Sequence, residues 1–279
     1  MTAIDPDKRM ASAHEEIKIG GGFKAGLVNF TFLAVPIILV LALWEAVARL
    51  SGMPAALLPP VTAIFAAVVR LTEQGLLFGD VISSLGRLFV SVLVGSVVGT
   101  AVGIIMGYFR FWEKTLSGPL NFLLAIPGTA MFPLSMIWFG LTEMAIISIL
   151  IYEVALTVTL NTWIGVKSVD NSLIRAGRAF GARGIPLFWR VLIPGALPSI
   201  ITGYRQGFSR CWRILIVAEM LVSVSSGLGY RIYWGREYFN SDVVYGGLLV
   251  VGIIGLLIER VLLRGLEMAT IERWGTVRE

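Results

Sequence analysis

"RAGRAFGARGIPLFWRVLIP", residues 175–194, lies between two long apolar runs. It holds Arg175, Arg178, Arg183 and Arg190, three glycines and two prolines, and no acid. A passive connector could be shorter and needs no such specific set of turn residues. Asp170, just upstream, is placed to cap a first short helix that runs to about Phe180 before Gly181 breaks it. Pro186 suits the opening turn of a second helix, and Pro194 is expected to close it. Two short helices set at an angle make a protruding elbow. Two uses fit it: a basic loop held against anionic lipid, or a ball that fits a socket on another protein.

The surroundings of this stretch set the fold class. The chain has 279 residues, 56% of them hydrophobic and only 15% charged, where soluble domains average roughly 45–50% and 25%. A bilayer can cover that much apolar surface and a single protein core cannot. Six runs are long and apolar enough to cross: about 27–50, 86–108, 118–140, 143–165, 200–223 and 243–263. The expectation is an all-α membrane protein with a cytoplasmic tail at 1–26, a six-helix transmembrane domain at 27–263 containing the loop 166–199, and a second tail at 264–279. The first run follows a polar tail without a small-residue cleavage site after it, so it reads as a retained helix.

Lys and Arg orient the bundle. Lys8, Arg9, Lys18, Lys24, Arg110, Lys114, Lys167, the loop arginines, Arg264, Arg273 and Arg278 fall on one side; Arg70, Arg231 and Arg236 fall on the other. The positive-inside rule puts both termini and the 166–199 loop in the cytoplasm. The net charge of +5 is spread over loops, which argues for orientation in a membrane and against nucleic acid. The single cysteine, Cys211, excludes a disulfide within the chain, and the single histidine, His14, gives a metal site or a Ser–His triad little to stand on.

Several features sit at membrane depth or just outside it. Gly95, Gly99, Gly103 and Gly107 form a strip on one helix face that allows close approach of another helix; packing and a sliding surface are both open. Pro127 and Pro133, in "IPGTAMFPLSMIWFGL" (126–141), each remove a donor, and a static kink and a gating hinge read alike. The fifth run carries Arg205, Arg210, Arg213 and Glu219, and the fourth carries Glu153. Arg205 can snorkel. Arg210 and Arg213 share a face and must meet protein or water. Either Glu153 and Glu219 neutralise them as structural pairs, or an arginine lines a polar path that favours an anion. "LPPVTAIFAAVVRL" (58–71) suggests a short surface helix with Thr62 as N-cap. The aromatic-rich stretch 225–242, with Tyr230, Tyr233, Trp234, Tyr238 and Phe239, fits an interfacial belt, an outer gate or a docking surface.

The 175–194 stretch resembles the coupling loop of ABC-importer permeases, whose motif is Glu-Ala-Ala, three residues, Gly, nine residues, Ile, one residue, Leu-Pro. Here Arg175, Ala176 and Gly177 take the first three positions, Gly181 the glycine, and Val191, Ile193 and Pro194 the close. Arg175 replaces the acid, Gly177 an alanine, and Val191 and Ile193 are apolar swaps. "LLPP" (57–60), "NTWIGVKSVD" (161–170), "RVLIPGALPSIITGYR" (190–205) and "IVAEMLVSVSSGLGY" (216–230) extend the resemblance to the nitrate/sulfonate/taurine-type branch.

This resemblance implies a type I importer permease fold in the bacterial inner membrane. It implies a dimer of permeases, two copies of one chain, around a central path, and two ATPase subunits on the coupling loops. A solute-binding protein outside would deliver a small anion. Phe180, Phe188 and Trp189 are then candidates to fill the ATPase groove or hold the elbow together. Bulk or charge at Gly181, as in Gly181→Asp, is expected to uncouple hydrolysis from transport. The chain has no G-x-x-x-x-G-K-[ST] phosphate loop, so it is expected to bind no cofactor, with ATP and Mg used by the partner ATPase. A passive channel or carrier is the alternative, and it needs no elbow.

Overall fold

The computed structural model describes residues 35–222 and 225–263, with side chains to residue 260. Both expected tails, and the first eight residues of the first expected span, lie outside them. The chain divides into two units at Phe65 and Ala66.

In the first unit, helix α1 occupies 35–50. The Trp44 indole N–H donates to the Pro59 carbonyl at 3.0 Å. Helix α2 (Val61–Glu73) starts in this unit and ends in the next. Its start corrects the sequence reading: Thr62 does not cap it. The Glu45 carboxylate of α1 does that work, accepting the Thr62 backbone N–H at 3.2 Å and its hydroxyl at 2.9 Å. A carboxylate at a helix start satisfies orphan donors and favours the dipole.

The second unit is built around a hub. Helix α3 (Leu76–Tyr108) starts about ten residues earlier than expected. Helix α4 (Arg110–Ala125) follows after the extended Phe109. A 3₁₀ turn (Gly128–Met131) leads into α5 (Phe132–Phe139). Helix α6 (Glu143–Ser168) precedes the elbow, α7 (Asn171–Ala179) and α8 (Ile185–Leu187). Helix α9 (Ile193–Val222), α10 (Leu228–Glu237) and α11 (Ser241–Leu257) complete the chain, with a π turn at Ile258–Leu263.

Helix α6 receives glycine faces from both sides. Added Cβ atoms at Gly95, Gly99, Gly103 and Gly107 of α3 would meet Val154, Val158, Thr162 and Val166 of α6 at 2.5–2.8 Å. Two ladders of period four therefore interlock, which is how backbones approach closely without a large side chain between them. From the other side, Gly203 of α9 lies on Asn161, and Gly165 of α6 lies on Ser199. The glycine strip is thus a packing surface in this structure. Phe132, Ile146, Leu150, Val154, Phe208 and Leu215 lie in the main buried cluster.

Among the described residues, four helices are long and apolar enough to cross a membrane, or five if a bent pair counts as one. The departure from the six expected spans that the described residues show lies in the third. The expected third span, 118–140, is two pieces, Arg110–Ala125 and Gly128–Phe139, bent by 91°. Pro127 supplies the break with an extended ψ of 132°, and Pro133 falls in the first turn of α5, where its missing N–H costs nothing. The first expected span shows a helix only over 35–50, with the rest outside the described residues.

Candidate functional site

The elbow is assembled by local turn chemistry. The Asp170 side chain accepts the Ser172 N–H at 2.7 Å and caps α7. That bond holds the Asp170 carboxyl below its ordinary value. At the other end, Gly181 sits at φ +83°. The Ala182 N–H donates to the Gly177 carbonyl at 2.9 Å and the Gly181 N–H to the Arg178 carbonyl at 3.0 Å, the Schellman pattern that left-handed glycine permits. A Cβ at Gly177 would press on Val191 at 2.9 Å and Leu187 at 3.1 Å. The small residue where the motif has alanine therefore lets α7 close on the second arm.

Pro194 does not end that second arm. Pro186 opens it as expected. The chain then widens into a π turn at Phe188–Leu192, with the Ile193 N–H donating to the Phe188 carbonyl. Helix runs on without interruption from Ile185 to Val222. Pro194 falls in the first turn of α9, where its lost donor is tolerated. The elbow is continuous with a membrane-length helix.

The elbow's aromatic residues separate into two groups. Phe188 stands edge-on to Tyr108 at the end of α3, with ring centroids 5.5 Å apart, and to Trp189 at 5.3 Å. It holds the elbow against the bundle. Phe180 is 92% exposed, and Leu173, Ile185 and Trp189 are exposed with it. Arg175 and Ala176 are exposed, while Val191, Ile193 and Pro194 are half-buried.

The charges of α9 do not pair as one set. Arg210 Nη1 lies 3.6 Å from Glu153 Oε1, a loose pair. Glu153 also lines the break after Pro127: a Cβ at Gly128 would meet its Oε2 at 2.6 Å. Glu219 does not neutralise Arg210 or Arg213. It is fully buried and takes Arg87 Nη1 at 2.7 Å, the Ser84 hydroxyl at 2.8 Å and the Gly229 N–H at 2.9 Å. Arg87 also donates to the Ser226 carbonyl and to Glu143, both at 2.8 Å. Asp80 accepts the Gly227 N–H at 3.0 Å and Arg231 Nε at 2.7 Å. A Cβ at Gly227, at φ +133°, would strike the Glu219 carboxyl. This network ties α3, α6 and α9 to the start of α10.

Arg87 and Asp80 do not figure in the sequence reading, whose second span begins at 86, beyond Asp80 and one residue before Arg87. The signal was a lone arginine beside the long apolar run "LFVSVLVGSVVG". Arg213 instead lines an open recess of about 580 Å³ with Arg205, Gln206, Ser209, Arg210 and Glu259.

Comparison with known proteins matches the same regions. Residues 99–264 fit the family described as "Binding-protein-dependent transport system inner membrane component". A putative ABC transporter permease protein of Methanocaldococcus jannaschii is 35% identical over 226 residues, covering 80% of this chain and 84% of its own. A putative aliphatic sulfonates transport permease protein, SsuC of Escherichia coli K12, is 32% identical over 218 residues, covering 78% and 82%. Among solved structures, a chain of the MetNI methionine ABC transporter in inward-facing conformations superposes with a TM-score of 0.58 at 24% identity, covering 70% of this chain and 97% of that one. The family match runs from the glycine ladder through the elbow to the last helix, and the chain belongs to this family of membrane-embedded ABC transporter permease subunits, which are not themselves catalytic.

Proposed function

We propose that this permease carries a small organic or inorganic anion, such as a sulfonate, taurine or nitrate, along a path between two copies of the chain. ATPase subunits seat on the elbow, and an external binding protein delivers the solute. Both termini and the elbow face the cytoplasm.

The observation that carries the reading is the elbow itself. Its exposed tip places Phe180, Leu173, Ile185 and Trp189 in solvent, a cluster of apolar side chains that a partner's groove would cover. Its rear is fixed by Phe188 and by the uninterrupted run into α9. A push on the tip is then transmitted along a helix that carries Arg205, Arg210 and Arg213. Family membership sets aside the passive channel or carrier.

Arginines on a membrane-length helix support an anionic solute. Charge at that depth faces protein or water, and among the described residues Arg210 and Arg213 line a recess with one carboxylate, Glu259, in its wall. The sulfonate-permease relative points the same way. Glu219, locked to Arg87 in the buried network, supports the bundle and leaves the path.

The test is uptake into vesicles that hold the permease with its ATPase and binding protein. Ethanesulfonate, taurine and nitrate are supplied in turn, with a cationic amino acid as control. Uptake of one anion that needs ATP and falls in Arg210→Gln, with assembly intact, is the expected result. ATP-driven uptake of the cation alone, or full uptake in Arg210→Gln, contradicts the reading.

A further inference from the structure

The exposed side of α7 is divided along its length. At 3.6 residues per turn, Ile174 and Gly177 fall on one face. That face is turned inward: Ile174 packs on the buried cluster of Val166, Leu192 and Ala196, and Gly177 lies on Leu187 and Val191. Ser172, Ala176 and Ala179, all exposed, form a ridge of small residues along the outer side. Leu173 and Phe180 stand on one flank of that ridge, 53% and 92% exposed. Arg175 and Arg178, both exposed, stand on the opposite flank.

The cationic flank has no acid to meet within the elbow. The sequence holds no Asp or Glu from Asn171 to Ala218, so neither α7 nor the second arm packed on it supplies one. Asp170, just before α7, is held by the Ser172 N–H and acts on Arg175 only through space. Among the described residues, the side chains of Arg175 and Arg178 make no ion pair or hydrogen bond. Water satisfies an exposed arginine, so the informative feature is placement. Two cations three residues apart share a flank, and the other flank carries apolar side chains that water does not satisfy.

We propose that the ATPase groove covering this elbow has two unlike walls, an apolar one for Leu173 and Phe180 and an acidic one for Arg175 and Arg178. Arg175 then matches the permease to its own ATPase by charge. This rests on the elbow being the ATPase's seat, and adds the chemistry of the partner's wall. Arg175 occupies the position at which the related motif has an acid. The surface it selects is therefore opposite in sign to the one an acid would select.

The geometry favours a groove over a lipid surface. The apolar and cationic flanks lie on opposite sides of α7, so a flat bilayer surface meets one or the other. A groove that straddles the small-residue ridge meets both, as when an amphipathic helix lies between two walls. A carboxylate in such a wall can take a guanidinium through two parallel hydrogen bonds, which fixes orientation as well as charge.

The experiment has two readouts on the assembled transporter. In the first, the purified Arg175→Lys complex is treated with a carbodiimide. The reagent activates a carboxylate, the amine at position 175 attacks it, and an amide forms as the urea leaves. Mass spectrometry should find that amide joined to an Asp or Glu of the ATPase. In the second, ATPase released from the parent complex is rebound to permeases in discs of neutral lipid, at low and high salt. Arg175→Gln should weaken rebinding about threefold and flatten its salt dependence. Arg175→Glu sets like charges together and should weaken it about tenfold or more. Arg175→Lys should stay near the parent. The side chain is exposed, so all three variants should keep the parent's melting temperature.

Rebinding of Arg175→Glu at the parent's affinity, with no amide at position 175 in Arg175→Lys, overturns the acidic wall and leaves the seat standing. Variants that alter only adherence of the permease to vesicles of anionic lipid assign the cationic flank to lipid, and overturn it too. If Phe180→Ser dislodges no ATPase, the seat itself falls, and the wall with it.

Discussion

Arg87 and Glu219 are 132 positions apart in the chain and 2.7 Å apart in space. Their side chains are 4% and 0% exposed, so each is the other's main compensation for lost water. Removing one partner strands a buried charge, at about 3–5 kcal/mol. Arg87→Met should therefore lower thermal stability steeply in detergent, while Arg87→Met with Glu219→Leu recovers much of the loss. A double variant as unstable as the single one would mean that Arg87 matters for its contacts to Ser226 and Glu143 instead. No local pattern in the sequence joins these two residues, and that is why Glu219 was first set against Arg210 and Arg213. Asp170 is the opposite case: its cap acts over two residues and was legible. Because the Ser172 N–H holds its carboxyl below the ordinary value of about 3.9, the capping contribution is fully present above that value. It is lost as pH falls through the lowered folded value. Protection of the amides across 171–179, taken relative to the intrinsic exchange rate at each pH, should fall in acid for the parent. In Asp170→Asn the acid-dependent part should vanish.

At the scale of elements, the period-four glycines were readable as a close-approach face, and the structure supplies the opposing face. A Cβ at Gly99 would sit 2.6 Å from the Ala155 carbonyl oxygen. Gly99→Leu must push α3 off α6, at roughly 1–3 kcal/mol or more, and a melt in detergent should show it. Gly252 of α11 has nothing within 4 Å of its added Cβ, so Gly252→Ala should be neutral or stabilise by about 0.5–1 kcal/mol. Equal losses in both would remove the ladder as the reason. The proline at 127 announced a disturbance, yet its size was not legible: a kink and a 91° break differ in how neighbours satisfy the freed groups. Pro194 misled for a related reason. A helix-ending residue is harmless in a first turn, and a π turn upstream supplied that turn.

For the whole molecule, the elbow was the most legible part, because glycine, proline and a capping acid act over a few residues. What the elbow touches was less so, and burial now separates Phe188, which packs on Tyr108, from Phe180, which packs on nothing here. Gly181, at φ +83° with open space around its Cβ position, resists substitution through its backbone, and a β-branched residue costs about 1–2 kcal/mol there. Gly181→Val should therefore bend the elbow differently and raise ATP hydrolysed per solute moved. The central claim is that the exposed tip is the ATPase's seat, and Phe180→Ser tests it most directly. At 92% exposure, the substitution should leave the permease melting temperature unchanged. Its tagged complex, drawn from native membranes in mild detergent, should lose the ATPase that the parent retains. A Phe180→Ser permease that keeps its ATPase and its coupled transport would contradict the account.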